Sequence, residues 1–284
     1  MGSLLVSTSA GSASPEPGMS KAGPRVRAYL RLSALLALAV LSLSGCAMGG
    51  SGSGYTFAWY ILSPSDPRGQ ANLSFLLQGF WATLSISTLA MFISLVIGLA
   101  VALMGIAKRR WLFLVSRVYV EFFRSIPLLV MILWVYYGLP ALTGVQFGVF
   151  VTGLICLAIS DSAFTSEIFR AGLQSIKVGQ FEAARSLGLK PFQTMRLVIL
   201  PQVVRAVLPA LGNQYVYVLK MSSLVSVIGF QELTRRANEL TLSEFRPLEI
   251  YTFLVLEYLV LILLVSWGVR VMERRMGTGV HGRN

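Results

Sequence analysis

Five polar residues stand inside otherwise apolar stretches: Asp161, Asn213, Lys220, Ser222 and Ser223. Asn213 and Lys220 are seven apart, which puts them on nearly the same face of a helix. A small zwitterion needs an acceptor for its ammonium and a donor for its carboxylate. Lys220 supplies that donor on one reading and snorkels to an outer interface on the other. Asp161 also has two readings, as the wall of a polar pathway or as a hydrogen bond between helices. Glu257 sits in a further apolar stretch without an evident partner. None of this forms a catalytic set, because there is no paired carboxylate or Ser–His arrangement. Two cysteines, Cys46 and Cys156, and the single His281 exclude a multi-ligand Cys/His metal site. No Gly-x-x-x-x-Gly-Lys-Ser/Thr phosphate loop occurs, so the chain cannot hydrolyse ATP itself. The expectation is a non-enzyme without metal or cofactor.

A second constellation lies in the polar stretch about 177–201: Glu182-Ala183-Ala184, three residues, Gly188, and later Val198, Leu200 and Pro201. Residues 182–187 form or tolerate helix. Gly188 can end that helix in the left-handed region, and Pro191 can open another at its first position. The stretch reads as two short helices joined by a sharp bend. Ala183, Ala184 and Gly188 leave little bulk on one face, so another protein could approach closely. The alternative is an amphipathic linker lying on anionic lipid. Upstream, Glu167 and Arg170 are spaced to pair on one helix face.

These residues are positioned by long apolar elements. Hydrophobic residues make up 55% of the chain and charged ones 13%, against about 25% in soluble domains. Mean hydropathy is +0.70. Five blocks, about 73–106, 126–142, 147–169, 203–228 and 250–271, are each long enough to cross a hydrocarbon core of about 30 Å. The net charge of +12 suggests nucleic acid in a soluble protein, but here Lys and Arg collect at the block ends. Lys108, Arg109, Arg110, Arg117 and Arg124 follow the first block. Arg170, Lys177, Arg185, Lys190, Arg196 and Arg205 follow the third, and Arg270, Arg274 and Arg275 the fifth. The basic excess in alternate loops puts the C-terminus inside and residues 49–72 outside.

The N-terminus supports the same parity. Lys21, Arg25, Arg27 and Arg31 precede the apolar run Leu32–Leu43 and then Leu43-Ser44-Gly45-Cys46. Residues 1–48 read as an unstructured start plus a secretory signal, with Cys46 a lipidation candidate, or as an uncleaved anchor. Residues 49–72 read as an extracytoplasmic linker, 73–275 as the transmembrane domain and 276–284 as a cytoplasmic tail.

The spaced pattern Glu182-Ala183-Ala184, Gly188, Leu200-Pro201 resembles the EAA loop of ABC-importer permeases. Val198 stands where Ile is commoner. Glu121–Leu129, Ile159–Gln180 and Leu219–Ala237 resemble the polar amino acid branch (histidine/glutamine/glutamate type), with Met221 at a position where that branch often has Asp. The resemblance covers about residues 72–275. It implies an all-α integral membrane fold, a five-helix MetI-like permease core behind the signal-like or anchor segment. It implies multi-pass residence in the bacterial inner membrane. It implies that Glu182, Ala183, Ala184, Gly188, Leu200 and Pro201 dock into a cytoplasmic ATPase subunit. An extracytoplasmic binding protein, a second permease subunit and membrane lipid are the other implied partners, and nucleic acid is not one. The implied activity is import of polar amino acids driven by ATP hydrolysed elsewhere. A permease for another small polar solute, or an ATP-independent secondary transporter, is the alternative.

Overall fold

A computed structural model describes residues 55–275. Cys46, His281, and the expectations for residues 1–48 and 276–284 lie outside the described residues.

The first long helix, α1 (Pro67–Gly105), starts earlier than the hydropathy block, inside the stretch read as linker. Asp66 is the reason. Its carboxylate accepts the Arg68 backbone N–H at 2.8 Å, and Pro67 occupies the first helical position, where an amide hydrogen is not missed. The helix α2 (Arg110–Ser125) then leads into α3 (Leu128–Leu133), a π-helical turn at Trp134–Gly138 and α4 (Leu139–Thr143). The chain bends by 95° between α2 and the segment 128–143. Pro127 denies Ile126 the helical region, and both residues are extended. The second apolar block is therefore a short limb of a bent pair.

The next elements are α5 (Val149–Gln174), α6 (Val178–Ser186), α7 (Pro191–Gln193), a π-helical stretch at Thr194–Ile199, and α8 (Leu200–Met221). A tight 3-10 segment, Ser222–Ile228, prolongs α8 until Gly229 stops it at φ 95°. α9 (Leu233–Glu244) and α10 (Pro247–Arg275) complete the described chain. Among the described residues, four stretches are long and apolar enough to span a membrane: α1, α5, Pro191–Ile228 and α10. The bent pair makes a fifth.

α1 and α5 pack along much of their length. A Cβ on Gly98 would lie 2.9 Å from Thr165 Cγ2 and 3.1 Å from the Ser162 carbonyl, so only glycine permits this approach. Ile86, Ala90, Ile132, Leu157, Ala158, Val218 and Val225 form the central core across α1, α3, α5 and the α8 region. At the end carrying α9, Leu76, Ala237, Leu240 and Ile250 form a second cluster. Arg68 clasps Glu244 there through two hydrogen bonds of 3.1 and 2.8 Å, which ties the start of α1 to the end of α9.

Candidate functional site

At the opposite end, α6 stops where its sequence dictates. Gly188 takes φ +74°. Its N–H reaches the Arg185 carbonyl at 2.9 Å, and the Leu189 N–H reaches Ala184 at 3.2 Å, as in a Schellman ending. Pro191 opens α7, and the Lys190 N–H is capped by Gln193 Oε1 at 2.9 Å. The two helices and sharp bend read from the sequence are both present. No atom would lie within 4 Å of a Cβ on Gly188. A side chain there would point away from the protein.

The small face is narrower than the sequence suggested. Ala184 is buried, while Ala183, Glu182 and Gly188 are exposed. The turn of about 100° per residue carries Ala184 round to the covered side of α6 while Glu182 and Ala183 stay outward. Large apolar side chains fill out the exposed surface: Leu187 is 80% exposed and Phe192 74%. Both were missed in the sequence, where an apolar residue beside a polar helix carries no sign of which way it points. Leu200 and Pro201 are exposed at the start of α8. Phe181 packs against the cluster formed by Ile199, Val203 and Val207, and Gln202 reaches Gln180 at 3.3 Å. These contacts join α6 to α8, so a push on the loop acts on the span.

The polar residues of the spans separate into groups. Asp161 is buried and accepts from Gln214 of α8 at 2.6 Å, from Thr165 at 3.1 Å, and from Ser94 of α1. It joins three helices, α1, α5 and α8. Ser94 and Gln214 were not legible as its partners. Asn213 and Lys220 are exposed on the protomer, with Tyr217 between them. Ser222 is buried, and its hydroxyl donates to the Leu219 carbonyl at 2.8 Å; Ser223 donates likewise to Lys220. The structure therefore gathers Asn213 and Lys220 on one exposed face and turns Asp161 and Ser222 inward.

Glu167 and Arg170 do pair on one face of α5, Nε to Oε1 at 3.0 Å, as their spacing of three allows. Glu257 is buried with neither carboxyl oxygen hydrogen-bonded among the described residues. Glu232, ahead of α9, accepts the Arg235 N–H at 2.8 Å and the Tyr258 hydroxyl at 2.9 Å. Burial pushes its carboxyl up to about 6 despite those bonds.

Residues 94–278 match the family of binding-protein-dependent transport system inner membrane components. The chain belongs to that family. This permease is 40% identical over 205 residues to the probable glutamine ABC transporter permease protein GlnM of Bacillus subtilis (strain 168), covering 72% of this chain and 94% of that one. It is 37% identical over 224 residues to the glutamine transport system permease protein GlnP of Escherichia coli (strain K12), covering 78% and 98%. Among solved structures, an amino acid ABC transporter determined with histidines superposes with a TM-score of 0.71 at 37% identity, covering 78% of this chain and all of that one. The MetNI methionine transporter superposes with a TM-score of 0.63 at 21% identity, which shows the shared MetI-like permease fold. The permease is thus a transport component of the inner membrane rather than a member of a catalytic family.

Proposed function

We propose that this permease imports polar amino acids, with glutamine the first solute to test, and that its energy comes from ATP hydrolysed on a separate cytoplasmic subunit. One observation carries the reading: the bend at Gly188 displays Ala183, Leu187 and Phe192 on a loop fastened to α8. A partner that moves this loop would move the span bearing Asn213 and Lys220. Those two residues are the candidates for the pathway, with Ser223 beside them. Asp161 and Ser222 would act behind that surface, by holding helices together. Glu182, Ala183, Gly188, Leu200 and Pro201 would contact the ATPase, and Ala184 would support them from inside.

In this reading the Gly188 loop and the C-terminus are cytoplasmic, in keeping with Lys177, Arg185, Lys190 and Arg196 around the loop. An extracytoplasmic binding protein delivers the solute, and a second permease subunit, identical or homologous, completes the pathway. Cys46 is lipidated after cleavage; a globomycin-type inhibitor should then leave a longer precursor, and an unchanged size would favour an uncleaved anchor.

The deciding experiment is uptake of labelled polar amino acids by cells lacking the gene, complemented with wild type or Gly188→Asp. Uptake of one class restored only by wild type is the expected result. Restoration by a well-expressed Gly188→Asp variant would remove the coupling role from the loop.

A further inference from the structure

A cavity of about 250 Å³ opens between α2 and α5, at the end of the bundle that carries the Gly188 loop. Gly105, the last residue of α1, and Gln174, the last of α5, both line it, so it lies at the level where these spans leave the membrane. Three guanidinium groups and two carboxylates line it: Arg117, Arg124 and Glu121 of α2, and Arg170 and Glu167 of α5. Arg170 is engaged by Glu167 and, at 3.1 Å, by Gln174. Arg117 and Arg124 form no ion pair among the described residues. Arg124 stacks over Phe164 at 5.1 Å, and stacking occupies the face of a guanidinium while leaving its N–H edge free. Arg117 and Arg124 are seven apart, two helical turns, and so address the same cavity.

A neighbouring stripe of α2 is apolar and uncovered. Leu114, Val118 and Phe122 recur every four residues and are 59%, 59% and 57% exposed. An amphipathic helix at a membrane boundary buries such a stripe among acyl chains. A lipid whose chains cover this stripe would bring its headgroup to the arginines beside it. With two carboxylates against three guanidinium groups the cavity keeps a net positive charge, which complements a phosphodiester that bears net negative charge.

We propose that the α2–α5 cavity binds the headgroup of an anionic phospholipid from the leaflet on the Gly188 side, with Arg117 and Arg124 as the donors to its phosphate. The site is built from the side chains of one protomer and does not depend on which solute is carried. Its position, a few residues from the start of α6, makes the bound lipid a brace for the base of the loop.

The test is native mass spectrometry of the purified full chain after incubation with phosphatidylglycerol or phosphatidylcholine. Wild type should retain phosphatidylglycerol adducts at least fivefold over phosphatidylcholine. Arg117→Gln/Arg124→Gln should lose that preference. Arg109→Gln/Arg110→Gln, which removes the same charge outside the cavity, should keep it. Arg117→Lys/Arg124→Lys, which keeps the charge, should retain at least half. Equal loss in both Gln pairs would mean general adsorption of anionic lipid and would overturn the site, as would no loss in either. Displacement of the lipid by millimolar glutamine would assign the cavity to a solute carboxylate and likewise overturn the proposal. The readout requires no transport, so it stands apart from the uptake experiment.

Discussion

Gln214 of α8 donates its side-chain amide to Asp161 of α5 at 2.6 Å, and Asp161 in turn accepts from Ser94 of α1. One carboxyl group thus links the span that follows the loop to the tightly packed pair α1 and α5. In an apolar surrounding such a group holds its partners firmly, because an oxygen left without one forfeits its solvation with nothing in return.

Gln214→Leu should therefore destabilise the protein by about 1–3 kcal/mol, the cost of leaving one buried acceptor unpaired. The double change Asp161→Leu/Gln214→Leu should cost less than the two single changes added together, because donor and acceptor leave as a pair. Thermal unfolding in detergent measures all three. Additive losses would show that the two residues do not act as a unit.

At Gly188 two requirements can be pulled apart. Asn tolerates the left-handed conformation better than other non-glycine residues, whereas Ala pays roughly 1–2 kcal/mol there. Gly188→Asn should keep near-native stability yet lower uptake at least tenfold, since its side chain would project into the open space beyond φ +74°. Unimpaired uptake with Gly188→Asn would mean that only the bend matters and that no partner approaches this point.

Glu232 gives a pH dependence whose sign is fixed. Its carboxyl lies at about 6 in the folded protein against an ordinary 4.5, so the folded state holds the proton more tightly than the unfolded one. The stabilisation from this group is complete below about 4.5 and is lost as pH rises through about 6. The difference of 1.5 (6 − 4.5) corresponds to roughly 2 kcal/mol. Glu232→Gln should flatten the fall in unfolding temperature across that window. An unchanged pH profile would place the titration elsewhere.

Glu257 separates ATP-driven from ion-coupled transport. Its buried oxygens lack hydrogen bonds among the described residues, and an ion-coupled transporter would use such a carboxyl. On the proposed reading it has no part in energy supply. Glu257→Gln should leave uptake within twofold of wild type and insensitive to a protonophore at constant ATP. Uptake abolished by Glu257→Gln, together with protonophore sensitivity in wild type, would favour ion coupling.

The membrane class, the five apolar blocks and the helix–bend–helix around Gly188 were legible along the chain. Each rests on signals local in the chain: block length, charges at block ends, a glycine able to take positive φ, and a proline free to open a helix. The early start of α1 is equally local, in the Asp66-Pro67 cap, but a boundary at residue 73 set by hydropathy alone does not register it. Where the polar residues point depends on the packed helices. Asp161 and Ser222 turn inward while Asn213 and Lys220 stay exposed, because orientation depends on which neighbouring helix covers each face. Gln214 finds Asp161 from 53 positions away, and Glu249 reaches the Ala58 N–H at 2.8 Å across 191. Such pairings leave no periodic trace in the chain, since they are set by how packed helices bring distant side chains together.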